Sequence, residues 1–98
     1  MENYITKLEL EKMIENKQGF QLIDVRSKEE FNESHIPFAV NIPIDQLKES
    51  LTSLDTNKLI ITTCGSGGGR SKSASEILQD SKFNSKYLDK GTFGWLEK

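Results

Sequence analysis

Two short runs of the sequence constrain its fold most: FQLIDV at residues 20–25 and KLIITT at residues 58–63. Both are dominated by aliphatic and β-branched residues, without the regular polar alternation of a strand that has one face in water. The first run is followed by a short stretch that begins with Ser27 in the position of a helix N-cap, and the second by a stretch in which apolar residues have helical spacing. Because buried strands that alternate with helices are typical of α/β domains, we predict a mostly parallel sheet with helices on both faces.

The other elements are predicted from capping residues and apolar periodicity. Thr6 is followed three residues later by Glu9, which is the spacing of a capping box and predicts a helix over 7–16. Ser27 is in the position of an N-cap for a second, short helix. Further helices are predicted over 45–54 and from Ser71 onward, and brief strands over 39–41 and 85–89.

The composition limits the classes of function. The chain has 98 residues, which favours a single domain over 1–98, and its formal net charge is −2. This charge gives no basic surface for nucleic acid, and no apolar run approaches the roughly 20 residues of a membrane-spanning helix. The first residues lack the apolar core of a signal peptide, and a lone cysteine suits a reducing compartment. We therefore expect a cytoplasmic protein that binds neither nucleic acid nor membrane.

One loop carries the only cysteine and four of the seven glycines. Cys64 ends the second apolar run, in a sheet position where parallel folds bind ligands. The residues that follow it are Gly65, Ser66, Gly67, Gly68, Gly69 and Arg70. The loop is not a nucleotide-binding loop, because GxxxxGK(S/T) needs glycine at position 64 and lysine at 70, and GxGxxG needs glycine or alanine at 70.

The order of strand, cysteine, glycine loop and helix predicts a chemical role for the thiol. Backbone N–H groups of such a loop surround the sulfur and face the positive end of the next helix dipole, which is an anion-binding arrangement. The same amides stabilise a thiolate, so we expect Cys64 to be nucleophilic. Arg70 adds a charge that can hold an anionic substrate. The alternative is an inert, buried cysteine beside a flexible loop, which is the commoner situation for a free cysteine.

These residues lie within longer motifs that resemble the rhodanese family. LIDVRSKEEFNESHIPFAVNIP at 22–43 is similar to that family's first signature, CGSGGGRS at 64–71 resembles its active loop, and KGTFGW at 90–95 resembles its closing segment. The resemblance implies a three-layer α/β fold around a parallel sheet of about five strands. It also implies that sulfane sulfur passes from a small donor, such as thiosulfate or a persulfide, to a thiol, a protein thiol or cyanide.

The resemblance also implies roles for individual residues. The sulfur would be carried as a persulfide on Cys64, the catalytic residue, with no cofactor and no metal. The substrate-binding residues would be Gly65, Ser66, Gly67, Gly68, Gly69 and Arg70, and the supporting residues Asp24, Arg26 and Ser71.

The length of the loop leaves other functions open. Seven residues run from Cys64 to Arg70, counted inclusively, whereas sulfurtransferase loops of the family usually count six. Seven is the count of related phosphatases and arsenate reductases, but these usually carry histidine before the cysteine, where this chain has Thr63. A phosphatase also needs an acid, and the loop contains none. A phosphatase or arsenate reductase, and a non-catalytic carrier or regulatory domain, remain the alternatives.

Five conspicuous positions are predicted to be structural. His35, the only histidine, is expected to fix the chain after the second helix rather than to act as a base. Asp24 and Arg26 are expected to form a salt bridge that holds loops together. Phe93 and Trp95 are expected in the core or at the rim of a pocket.

Overall fold

The computed structural model describes residues 3–66 and 69–97. Five parallel strands form one sheet in the order β1, β5, β4, β2, β3. The strands are β1 (Tyr4–Ile5), β2 (Phe20–Asp24), β3 (Val40–Asn41), β4 (Leu59–Thr63) and β5 (Ser85–Leu88). The α-helices are α1 (Lys7–Glu15), α2 (Lys28–Glu33), α3 (Gly69–Asp80) and α4 (Gly91–Leu96), and two 3-10 helices span Ile44–Gln46 and Lys48–Ser53. The predicted α/β fold is confirmed.

The two strands predicted from apolar runs lie side by side at the centre of the sheet. β2 and β4 pair in register from Phe20 opposite Leu59 to Asp24 opposite Thr63. Their carboxyl ends are therefore level, and Cys64 follows directly where β4 ends. Register thus brings the end of the first apolar run next to the cysteine.

Two apolar clusters pack on the sheet, as expected for strands that are buried on both faces. Neighbouring residues of β2, Leu22 and Ile23, belong to different clusters, and so do Ile61 and Ile60 of β4. Burying one such side chain contributes roughly 1.5–3 kcal/mol. Cys64 belongs to the same cluster as Ile23 and Ile60, so the thiol rests on the core.

Reciprocal capping boxes begin α1 and α2. The Thr6 hydroxyl accepts from the Glu9 amide at 3.1 Å, while the Glu9 carboxylate accepts from the Thr6 amide at 2.9 Å. Ser27 and Glu30 repeat the pattern at 3.2 and 3.1 Å. Both predicted N-caps are confirmed, and each satisfies amides that the first helical turn leaves without partners.

Several predicted elements differ from the structure. The helix predicted over 45–54 is wrong in type, since two 3-10 helices occupy this segment. Hydrogen bonds between residues i and i+3 join Ile44 to Leu47 and Leu51 to Leu54. All four side chains pack on one core cluster. β1 and α4 were not predicted, and α3 begins at Gly69 instead of Ser71. β1 has only two residues, too few for a recognisable pattern.

Gly94→Ala is expected to destabilise the protein, although this exchange usually stabilises a helix interior by about 1 kcal/mol. A Cβ at Gly94 would lie 2.6 Å from the Cβ of Lys90, which has a left-handed backbone with φ of 65°. We expect the free energy of unfolding in urea to fall by about 1–3 kcal/mol. Gly69→Ala is the control, because no atom lies within 4 Å of its added Cβ. A higher urea midpoint for Gly94→Ala would contradict the prediction.

Candidate active site

A buried ion pair lies at the carboxyl end of β2. Asp24 and Arg26 are 0% and 1% exposed. The Arg26 Nε donates to Asp24 Oδ1 at 2.9 Å, and its Nη2 donates to Oδ2 at 2.7 Å. The same Nη2 donates to the Ser34 carbonyl at the end of α2, also at 2.7 Å. The predicted salt bridge is confirmed, and it holds the chain on both sides of α2.

The ion pair is extended by hydrogen bonds to three other parts of the sheet edge. The Asn41 side chain donates at 3.0 Å to the carbonyls of both Asp24 and Arg26, which fixes β3. The Thr92 hydroxyl donates to Asp24 Oδ2 at 3.4 Å and shares a second hydrogen bond, 3.1 Å long, with the Thr63 hydroxyl. The end of β4 and the start of α4 are therefore joined to the same carboxylate.

Cys64 lies between the end of β4 and the first turn of α3. Its side chain is in the core, and the residue is only 5% exposed. Sγ donates to the Ser71 hydroxyl at 3.2 Å, and the Thr62 hydroxyl donates to the Ser71 carbonyl at 2.8 Å. A hydroxyl can also donate, so Ser71 is placed to donate to the thiolate form of Cys64.

Backbone hydrogen bonds from α4 orient the start of the glycine loop. The amides of Thr92 and Phe93 donate to the carbonyls of Cys64 and Gly65, at 2.7 and 2.9 Å. In a planar trans peptide the next N–H points opposite to the carbonyl. The amides of Gly65 and Ser66 are therefore directed away from α4. The predicted binding residues Gly67 and Gly68 lie outside the described residues.

Arg70 is engaged by a carboxylate that the sequence reasoning did not single out. Its Nη1 and Nη2 donate to Glu30 Oε1 and Oε2, at 2.8 and 3.1 Å. The side chains are 44% and 40% exposed. Hydrogen bonds from Arg70, and then from the Ser27 amide, lower the pKa of Glu30 to about 2. The guanidinium pKa is raised, mainly by Glu30. The signal that could have identified Glu30 in the sequence is an acidic residue at the third position of α2, within the motif at 22–43.

The aromatic residues divide between the site and the core. Phe93 is half exposed, and its ring lies beside the loop, since a Cβ on Gly65 would meet Phe93 Cε2 at 3.3 Å. The Arg26 guanidinium carbon is 5.5 Å from the centre of the same ring. Trp95 instead packs edge-on against Phe38 and lies against the core cluster that contains Leu22 and Ile61. The rim position is thus taken by Phe93, and Trp95 is a core contact.

His35 is held within its own turn of chain. Its Nδ1 lies 2.9 Å from the Phe31 carbonyl, and its ring stacks on the Phe31 ring with centroids 3.8 Å apart. The predicted structural role of His35 is confirmed.

A recess of about 330 Å³ opens beside Arg70, between α2 and the first 3-10 helix. A larger cavity of about 660 Å³ borders Phe20, Leu22 and Val40. We assign the site to the first region, because ligands of parallel sheets bind at the carboxyl ends of the strands. Over 3–66 and 69–97, no group of three or more histidine, cysteine or acidic side chains is arranged to hold a metal ion.

None of the helices in the described part of the chain combines the length and the apolar character that crossing a membrane requires.

Comparisons with known proteins agree with this geometry. The model of the Rhodanese-like domain matches residues 6–98. The putative sulfurtransferase YtwF of Bacillus subtilis is 33% identical over 91 residues, which cover 93% of this chain and 87% of that protein. The HTH-type transcriptional regulator Rv0324 of Mycobacterium tuberculosis is 36% identical over 95 residues, and the match covers 96% of this chain but only 42% of the regulator.

A solved structure shows the same fold. The rhodanese-like domain protein from Staphylococcus aureus superposes with a TM-score of 0.86 and 30% identity, covering 97% of this chain and 91% of that one.

Arg26→Met is expected to destabilise the protein by about 3–5 kcal/mol, because it leaves the buried Asp24 carboxylate without a counter-charge. Unfolding in urea measures the loss. Arg70→Met is the matched control and is expected to cost no more than about 1 kcal/mol, since its ion pair is exposed. Equal losses for the two variants would contradict this assignment of the ion pairs.

The Glu30–Arg70 pair is expected to make stability depend on pH. The folded pKa of Glu30, about 2, is below its ordinary value of 4.5, so the stabilisation is complete above pH 4.5 and is lost as pH falls towards 2. Glu30→Gln, which keeps the capping box, should be less stable than the parent by up to about 1 kcal/mol at neutral pH. The two unfolding free energies should converge towards pH 2. Glu33→Gln is the control, and a difference that is constant with pH would refute the linkage.

Proposed function

The chain belongs to the rhodanese-like domain family, and on this basis we propose that it is a sulfurtransferase that carries sulfane sulfur as a persulfide on Cys64. The observation that supports this most is the setting of Cys64. Its thiol contacts the Ser71 hydroxyl at the start of α3, and two loop amides are directed away from α4. A cysteine at the end of a parallel strand, with loop amides directed away from α4, is compatible with the arrangement that sulfur transfer requires.

In the first half-reaction, the Cys64 thiolate attacks the outer sulfur of a donor. With a persulfide R–S–SH, the donor S–S bond breaks, a new S–S bond forms on Cys64, and R–S⁻ leaves with the electron pair. With thiosulfate, the leaving group is sulfite and the product is the Cys64 persulfide anion. The Ser71 hydroxyl accepts from the Cys64 thiol at 3.2 Å, and in this proposal it donates to the sulfur once the thiol has lost its proton. In the same proposal the amides of Gly65 and Ser66, which are directed away from α4, stabilise the charge on the transferred sulfur.

In the second half-reaction, a thiolate or cyanide attacks the outer sulfur of the Cys64 persulfide. The S–S bond on Cys64 breaks, so the enzyme recovers its thiolate and the acceptor leaves as a persulfide or as thiocyanate. No net oxidation occurs, and no cofactor is needed. The acceptor is a small thiol, cyanide or the thiol of a protein. We place the reaction in the cytoplasm, because a single thiol at the active centre is best kept reduced there.

The two carboxylates that are paired with arginines near the site are a weak basis for phosphatase chemistry. A phosphatase needs an acid to protonate the leaving oxygen. Asp24 is paired with Arg26, and Glu30 is paired with Arg70. Sulfur transfer needs no such acid, since the leaving thiolate or sulfite is stable as an anion. This difference favours sulfur transfer over hydrolysis of an oxyanion ester.

Incubation with thiosulfate or a thiol persulfide is expected to add the mass of one sulfur atom to the protein, and cyanide should remove it as thiocyanate. Because Cys64 is the only cysteine, the added mass reports on this residue. Intact-protein mass spectrometry measures the gain. Cys64→Ser, the control, should show none.

Two outcomes would overturn the proposal. Absence of any mass gain with either donor would exclude sulfur transfer to Cys64. Turnover of an aryl phosphate that is lost in Cys64→Ser would instead identify an oxyanion hydrolase.

A further inference from the structure

The guanidinium of Arg70 is already bound by a carboxylate of the protein itself. Glu30 meets it with both oxygens, at 2.8 and 3.1 Å, in the bidentate geometry by which arginine also binds oxyanions. An anionic substrate that is to use Arg70 in the same way must therefore displace Glu30.

Glu30 is held in this position by its own helix. Its Oε1 accepts from the Ser27 amide at 3.1 Å as part of the capping box of α2, and the same atom accepts from Arg70. The carboxylate consequently meets Arg70 in an orientation fixed by the backbone, and ionisation persists through the physiological range because its pKa is about 2. Displacement by a ligand breaks a preorganised contact and leaves a negative charge nearby.

The recess beside Arg70 is not positively charged as a whole. Lys28 and Arg70 contribute the positive charges of this region, while Glu29 and Asp45 line it and Glu30 neutralises Arg70. Three acidic side chains therefore face two basic ones. Such a region attracts a dianion weakly, although Arg70 alone would suggest the opposite.

We propose that Glu30 is a specificity-determining residue, which competes with anionic donors for Arg70 and so favours thiol persulfides over thiosulfate. This inference rests on the proposed sulfur transfer. A persulfide R–S–SH gives its outer sulfur to Cys64 and leaves as R–S⁻, so it brings no dianionic group that needs Arg70. Thiosulfate carries two negative charges and releases sulfite, so it has to compete with Glu30 for the guanidinium.

The test compares two donors, thiosulfate and the persulfide of 2-mercaptoethanol, which carries no sulfonate-like dianion, in the parent protein, Glu30→Gln and Glu33→Gln. Glutamine is accepted at the third helical position of a capping box, so Glu30→Gln retains the start of α2. The KM for thiosulfate is expected to fall about threefold to fivefold in Glu30→Gln, as for loss of an exposed ion pair, while that for the persulfide stays within about twofold. Glu33→Gln removes the same charge from the last position of α2, outside the recess, and should leave the ratio of the two KM values unchanged.

Two results would overturn the inference. One is an unchanged ratio in Glu30→Gln, and the other is an equal change of the ratio in Glu33→Gln, which would indicate a general effect of charge.

A second measurement separates this inference from the proposed function. If neither donor loads Cys64, sulfur transfer fails, and the role of Glu30 is tested by thiosulfate binding alone. Calorimetry with Cys64→Ser and with the double variant Cys64→Ser, Glu30→Gln then compares the affinities. About threefold to fivefold tighter binding by the double variant supports competition for Arg70, as in the kinetic test. Equal affinities would refute it.

Discussion

The ion pair of Asp24 and Arg26 is the interaction on which the rest of the carboxyl edge depends. Both groups are withdrawn from water, a costly step that is compensated only when every charge and N–H finds a partner. The partners come from the Ser34 carbonyl, the Asn41 side chain and the Thr92 hydroxyl. Since these residues follow α2, lie on β3 and begin α4, one carboxylate and one guanidinium set the mutual positions of three elements around the cysteine.

The described part of the molecule contains two arginine–carboxylate pairs with opposite properties. The buried pair is fully desolvated, so its geometry is enforced by the sheet edge and its loss would leave an unpaired charge in the core. The exposed pair of Glu30 and Arg70 is in contact with solvent and is weak enough to be exchanged for a ligand. The buried pair therefore fixes the structure, whereas ligand recognition, in our proposal, involves the exposed pair. Glu30 of α2 belongs to the exposed pair, and Ser34 at the end of α2 accepts from the buried one.

Short sequence patterns predicted those strands and helices that are determined by residues close together in the chain. Burial on both faces gives β2 and β4 continuous apolar runs, and the capping boxes of α1 and α2 lie within four residues of chain. The contact between Glu30 and Arg70 joins positions that are 40 residues apart, so no periodicity could predict it. Leucines at spacings of four and three predicted one helical stretch over 45–54, and the chain forms two short 3-10 helices there. The family resemblance, not the spacing, pointed to Ser71.

The start of the glycine loop is held by the backbone of α4. The amides of Thr92 and Phe93 make these hydrogen bonds through main-chain atoms, which every residue except proline possesses. The orientation of the loop carbonyls is consequently independent of which side chain stands at position 93. Position 93 is half exposed, so its side chain can be exchanged without loss of the backbone hydrogen bond that holds the Gly65 carbonyl.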